Sequence, residues 1–140
     1  MKIRQLSVFL ENKPGQLSRS CRALADAGVN ILTLSLADTQ QFGVLRLIVG
    51  DVEAAGSALQ DAGCVVKVTE VIAVEAEDRP GGLAAVLEAI EAKGINVDYM
   101  YPLTARRGRK AVLIFRFDDN DAALAAIRDA GASIVAEADL

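Results

Sequence analysis

The sequence contains no histidine and no tryptophan, and it has only two cysteines and three prolines in 140 residues. Without histidine, no imidazole can act as a general base, a proton shuttle or a metal ligand. Nucleophile systems of the Ser-His and Cys-His kinds are excluded for the same reason. We therefore expect no catalysis or metal binding that depends on histidine.

Cysteine usage and apolar runs are equally limited. Cys21 and Cys64 form neither a CxxC pair nor a spacing typical of a metal site. We interpret both as reduced residues that pack among apolar side chains, with a reactive thiol as the alternative, and we expect no metal and no cofactor. No apolar run reaches 18 residues, and the N-terminus lacks the apolar core of a secretory signal. We therefore expect the protein in the cytoplasm.

Positive charge is scarce as well. Fifteen Lys and Arg residues stand against 19 Asp and Glu residues, which gives a formal net charge of −4. Nucleic-acid binding requires a basic face, so we expect neither a nucleic acid nor an acidic membrane surface as partner. The one basic cluster comprises Arg106, Arg107, Arg109 and Lys110. It suits a solvated hairpin tip, with contact to a phosphate or an acidic partner as the alternative.

The chain is an internal repeat. The segment LSVFLENKPGQL, which starts at Leu6, recurs as IAVEAEDRPGGL from Ile72, and the halves match at an offset of 66 residues, then 68. Period-2 apolar alternation marks the strands, and apolar spacing of three and four marks the helices. Each half reads strand, helix, strand, strand, helix, strand. We predict an α+β fold of two ferredoxin-like βαββαβ units, residues 1–70 and 71–140, with antiparallel sheets, helices on one face, and the units fused side by side.

Punctuating residues locate the helix ends. Pro14 suits the first turn of a helix, and Gly28 and Gly94 suit its end. The second helix of each half is expected to begin at Asp51 or near Asp119, whose side chains can cap free N–H groups. This second helix should end at a glycine in each half. The last strand should run over residues 65–71 in the first half and 133–138 in the second. In the strand over 31–38, the leucines at 32, 34 and 36 indicate an inward face, whereas their repeat counterparts Asp98, Met100 and Pro102 do not.

The repeated motifs ENKPG…GVN and EDRPG…GIN resemble those of ACT domains, which are regulatory modules that bind small molecules. The motif is similar to that of the serine-binding regulatory module of D-3-phosphoglycerate dehydrogenase. In the first half Asn12 and Asn30 keep the family's spacing, with Lys13 in place of arginine. The resemblance implies ligand binding by Asn12, Lys13, Pro14, Gly15 and Asn30, and by Asp78, Arg79, Pro80, Gly81 and Asn96. It also implies that the ligand lies where two modules meet.

The chemistry of these residue types suits a free amino acid. A helix N-terminus offers unpaired N–H groups to a carboxylate, and Gly15 or Gly81 allows close approach to the backbone. The amide or carboxylate side chains add acceptors for an ammonium group. The alternative is structural, because Pro-Gly is common helix punctuation and asparagine often stabilises a turn. Tyr99 and Tyr101 suit either the floor of a pocket or packing within the sheet.

These observations predict a non-catalytic sensor that binds a free amino acid at ACT module interfaces, and we expect a homodimer. The alternative is a regulatory subunit or transcriptional co-regulator that acts through protein contacts with a regulated enzyme or regulator. An enzyme is not expected, because the sequence has no P-loop, dinucleotide fingerprint or cluster of metal ligands. Glu75 and Glu77 are interpreted as solvent-facing.

Overall fold

A computed structural model describes residues 1–104, 108 and 110–140. The strands are β1 (Ile3–Glu11), β2 (Ile31–Asp38), β3 (Phe42–Val49), β4 (Val65–Glu77), β5 (Val97–Pro102), β6 (Lys110–Phe117) and β7 (Ser133–Val135). The helices are α1 (Gln16–Asp26), α2 (Val52–Asp61), α3 (Gly82–Glu91) and α4 (Asn120–Asp129), followed by a 3₁₀ turn at Glu137–Asp139. Three members of the basic cluster, Arg106, Arg107 and Arg109, lie outside the described residues.

The chain forms two compact units, which we call the first unit (Arg4–Thr69) and the second unit (Met1–Ile3 with Glu70–Leu140). In the first unit β3 pairs antiparallel with both β1 and β2, and β2 is an edge strand. In the second unit β4 pairs antiparallel with β6 and β7, and β6 pairs with β5. The predicted α+β fold of two ferredoxin-like βαββαβ units with antiparallel sheets is confirmed. β4 provides the last strand of one unit and the first strand of the other.

One face of each sheet forms a hydrophobic core with the two helices of its unit. In the first unit, alternate residues of β1 (Leu6, Val8 and Leu10) pack with Leu24 of α1 and Leu59 of α2. In the second unit, Ile72, Val74 and Ala76 of β4 pack with residues of α3 and α4. Full burial of a leucine or isoleucine side chain contributes about 1.5–3 kcal/mol, so this alternation fixes which face the helices cover.

The punctuating residues act largely as the sequence indicates. The carboxylates of Asp51 and Asp119 accept hydrogen bonds from the N–H groups of Ala54 and Ala122, at 3.0 and 3.1 Å, and so cap α2 and α4. Gly28 and Gly94 follow α1 and α3 in the left-handed region, each with φ 71°. The helix ends expected at these glycines are confirmed, and the left-handed backbone lets the last turn of each helix close on its own carbonyls.

Two expectations about strands are wrong. The last strand covers only Ser133–Val135, because the chain then turns into the 3₁₀ turn, where the N–H of Asp139 bonds the carbonyl of Ala136 at 3.0 Å. Leu34 and Leu36 share the sheet face of buried Leu47 and Leu45, but they are 44% and 51% exposed because β2 is an edge strand. Among the described residues, no helix is both long enough and apolar enough to cross a membrane.

Candidate functional site

The loops that precede α1 and α3 have the same backbone conformation. Gly15 and Gly81 are both left-handed, with φ of 89° and 85°, and each helix begins at the next residue. Pro14 therefore lies in the turn before the helix and not in its first turn, as the sequence had indicated, and Pro80 does the same. The left-handed glycine separates the turn from the right-handed helix, so helical hydrogen bonding starts with the Arg19 N–H and the Gly15 carbonyl, at 3.0 Å.

The two helices of each unit begin differently. α2 and α4 are capped by aspartate side chains, whereas α1 and α3 are preceded by glycines, which have no side chain with which to cap. The first N–H of α1 and of α3, on Gln16 and Gly82, bonds the carbonyl of Lys13 or Arg79 in the preceding turn, at 3.3 and 3.0 Å. The N–H groups that follow have no partner within the helix, and the helix dipole adds positive potential there. The starts of α1 and α3 are therefore suited to an anionic group of a ligand.

A small pocket of about 60 Å³ lies beside Asn12 and Lys13 at the start of α1. Its other lining residues come from β1, α1, β2 and β3 and are Leu10, Glu11, Gln16, Leu17, Leu36, Asp38 and Gly43. The Nδ2 of Asn12 donates to the carbonyl of Gln40 at 3.1 Å, which orients the amide. The Oδ1 of Asn12 is then the side-chain acceptor that remains for a ligand.

Charges of both signs line this pocket. The ammonium of Lys13 forms an ion pair with the carboxylate of Glu11, which holds the pKa of Glu11 below and the pKa of Lys13 above their ordinary values. Asp38 adds a second carboxylate, and Leu17 and Leu36 add apolar surface. A zwitterion that carries an apolar side chain would find a partner here for each of its three parts.

Asn30 lies away from this pocket. The carbonyl of Asn30 accepts from the N–H of Gly50 at the end of β3, whereas the backbone N–H of Asn12 bonds Gln41 just before β3 begins. The two asparagines therefore lie at opposite ends of β2, which has eight residues and spans about 26 Å at about 3.3 Å per residue. Within one chain, therefore, the structure does not bring Asn12 and Asn30 together.

The second unit separates its predicted residues in the same way. Asn96 exchanges hydrogen bonds with Asp118, and its Nδ2 donates to the carbonyl of Val97 at 3.3 Å. At the opposite end of the adjoining β6, Arg79 and Gly81 line an open cavity of about 220 Å³. Asp78 and Pro80 belong to the same exposed loop but are not part of the cavity lining. Lys110, which also lines it, pairs with Glu75 at 3.5 Å.

Sequence reasoning missed several residues of these pockets. Gln16, Leu36, Asp38 and Gly43 reach the Asn12 pocket from three different elements, α1, β2 and β3, and no local motif marks them. The sequence holds one signal that sets Leu36 and Asp38 apart, because they differ in type from their repeat partners Pro102 and Thr104.

The structure also bears on the role of Tyr101 and on metal binding. Tyr101 is buried in the sheet opposite Ile114, so packing is its role there. The part of the chain that the structure describes contains no cluster of three or more acidic or cysteine side chains that could hold a metal ion.

A family model described as an ACT domain pair matches residues 1–140. A crystal structure of a protein from Bacteroides thetaiotaomicron is 33% identical and has a TM-score of 0.92, covering 99% of this chain and 95% of that chain. The ligand-free regulatory subunit of aspartate kinase from Thermus thermophilus has a TM-score of 0.62 at 18% identity, covering 91% of each chain. That second likeness is one of fold.

A curated relative gives a partial match. The acetolactate synthase small subunit of Buchnera aphidicola is 35% identical over 77 residues, which cover 51% of this chain and 48% of the relative. The match thus spans about half the length of that relative.

Proposed function

Because the chain belongs to the family of paired ACT domains, we propose that it is a non-catalytic regulatory protein that binds a free amino acid. The observation that carries this proposal is the pocket at the uncapped start of α1, where Asn12 and Lys13 lie beside two carboxylates and an apolar wall. An amino acid presents a carboxylate, an ammonium and a side chain, and the pocket holds a complementary group for each.

The binding energy that a sensor requires is modest. Contacts of charged groups with a helix terminus contribute about 0.3–2 kcal/mol each. A Kd between about 1 mM and 1 μM corresponds to about 4–8 kcal/mol. A few such contacts suffice, and the pocket of about 60 Å³ is small enough that a ligand would remain partly uncovered.

We propose that a second copy of the chain covers the ligand. β2 is an edge strand, and an isologous contact pairs the same edge of both copies. If two β2 strands meet antiparallel, the start of one lies beside the end of the other. Asn30 of one copy then approaches Asn12 of the other, and the family motif forms one site from two chains.

A thermal-shift screen against the twenty amino acids tests the proposal. Ligand at 100 times Kd stabilises a protein by about 2.7 kcal/mol, which a melting scan resolves. The expected result is a concentration-dependent rise in Tm with one amino acid or a few related ones. The corresponding amine and carboxylic acid, tested separately, should have little effect. No rise with any amino acid at millimolar concentration would contradict the proposal.

A second function, as a regulatory subunit or co-regulator that acts through protein contacts, is favoured by the exposed Leu34 and Leu36 on β2. Exposed apolar side chains on an unpaired strand suit strand addition by a partner. Two of the matched relatives are themselves named as subunits of enzymes. A partner enzyme whose activity responds to this chain equally with and without amino acids, and no longer responds after Leu34→Lys, which leaves the pocket lining intact, would favour this function over sensing.

A further inference from the structure

The open cavity of the second unit lies where the repeats differ in sequence. In the first unit the side chain of Arg19, on α1, extends to the end of α2 and donates from a guanidinium nitrogen to the carbonyl of Ala62 at 3.1 Å. The residue that matches Arg19 in the second unit is Ala85, and the residue that matches Ala62 is Ala130. Both Ala85 and Ala130 line the cavity of about 220 Å³.

Three further sequence differences distinguish this region of the second unit from that of the first. Gln16, Ser20 and Cys64 of the first unit correspond to Gly82, Val86 and Ala132 in the second. In the first unit the hydroxyl of Ser20 lies 3.7 Å from the sulfur of Cys64, which links α1 to the chain after α2. In the second unit the matching residues are small or apolar and line the cavity.

The backbone that receives the guanidinium is the same in both units. Gly63 and Gly131 are left-handed, with φ of 85° and 76°, and the next N–H closes the helix on Leu59 or Ile127, at 2.9 and 3.1 Å. The carbonyl at the helix end keeps its position, but the methyl group of Ala85 cannot donate to it. A helix C-terminus carries negative potential, so this carbonyl attracts a cationic donor.

We propose that this cavity binds a basic free amino acid, whose guanidinium or ammonium side chain donates to the Ala130 carbonyl as Arg19 donates to Ala62. Arg79, which also lines the cavity, pairs with the carboxylate of the ligand. The proposal rests on the proposed function and gives the second unit a ligand class that the first unit cannot share, because Arg19 occupies the equivalent position there.

Amide chemical shifts of Ala85, Ala130 and Gly131 test this proposal when arginine and lysine are titrated into the full chain. Norleucine, which lacks the side-chain cation, and agmatine, which lacks the carboxylate, are the matched ligands. We expect saturable shifts at these three amides with arginine or lysine, and affinity at least tenfold weaker for both matched ligands. No saturable shift, or equal affinity for norleucine, overturns the proposal.

Filling the cavity provides the second arm. Ala85→Arg restores the arrangement of the first unit and should abolish the shifts. Ala85→Met fills the space without a charge and should also abolish the shifts. This second variant keeps the test available if the arginine variant does not fold. Unchanged binding in a folded variant overturns the proposal. If another amino acid binds through Asn12 while arginine and lysine bind nowhere, this inference fails and the proposed function stands.

Discussion

Gly82 lies so close to Glu77 that a Cβ at Gly82 would overlap the Glu77 carbonyl oxygen and lie 2.9 Å from its carbonyl carbon. The obstacle is backbone at the end of β4, so it cannot move aside as a flexible side chain would. The equivalent residue of the first unit, Gln16, carries a side chain. This close approach of α3 to the preceding strand is therefore particular to the second unit, and it shapes the cavity there.

Gly82→Ala should destabilise the protein. Overpacking costs about 1–3 kcal/mol, and we expect a loss near 3 kcal/mol because the backbone must shift. Urea denaturation of the full chain measures the free energy of unfolding. Gly56→Ala is the matched control, since a Cβ at Gly56, within α2, meets nothing within 4 Å. That control should stabilise by about 0.5–1 kcal/mol. Equal effects of the two substitutions would contradict this account of Gly82.

Asp51→Ala removes the cap of α2 and should cost about 1 kcal/mol of stability, because the N–H of Ala54 loses its acceptor. Asp61→Ala is the control, since it removes the same charge from the other end of α2. A carboxylate near a helix C-terminus is unfavourable, so that substitution should be neutral or slightly stabilising. If both variants lose the same stability in urea denaturation, the capping role is refuted.

Much of the fold is predictable from the sequence because the repeat shows the same order of strands and helices twice. Asp51 and Gly28 act locally, through hydrogen bonds within a few residues, so their roles were readable. Leu36 and Asp38 were not, because their exposure and their place beside Asn12 depend on pairing with strands far along the chain. Pro14 was misplaced because a proline is compatible with both a turn and a helix start, and the left-handed Gly15 decides between them.

The site was predictable in composition but not in arrangement. Asn12 and Lys13 line a pocket, whereas Asn30 lies at the far end of β2. Motif spacing gives no indication of this, because distance along the chain does not reveal the direction of a strand. The contact of Arg19 with Ala62 has no signal in the sequence either, because the cavity that Ala85 and Ala130 line in its place exists only in the folded chain.

The ion pair of Glu11 with Lys13 predicts a pH dependence. Lys13 lowers the pKa of Glu11 in the folded chain. The Glu11 carboxylate therefore stabilises the folded chain at pH values above the unfolded pKa of glutamate, and this stabilisation is lost as pH falls through the folded pKa. An NMR titration of the Glu11 side chain should give a pKa below the ordinary value. In Lys13→Gln the value should return towards the ordinary one, while Glu11 of an Arg22→Gln control should match the wild type. An unchanged Glu11 pKa in Lys13→Gln would disprove the pairing.

Mixing two variants tests whether the site is shared between chains. Asn12→Ala and Asn30→Ala should each abolish amino-acid binding at the Asn12 pocket when alone. In an equal mixture, exchange into hybrid dimers restores one intact site per hybrid, and about a quarter of the wild-type binding capacity should return. Binding capacity is measured at saturating ligand after the subunits have exchanged. No recovery in dimers shown to have exchanged would place both asparagines outside a shared site.

The most direct test is a calorimetric titration of the full chain with the amino acid, other than arginine and lysine, that gives the largest rise in Tm. The account predicts saturable binding with a Kd between about 1 μM and 1 mM, together with the loss of that heat in a folded Asn12→Ala variant. The absence of saturable heat for every amino acid, or binding that Asn12→Ala and Asn30→Ala leave unaltered, would contradict it.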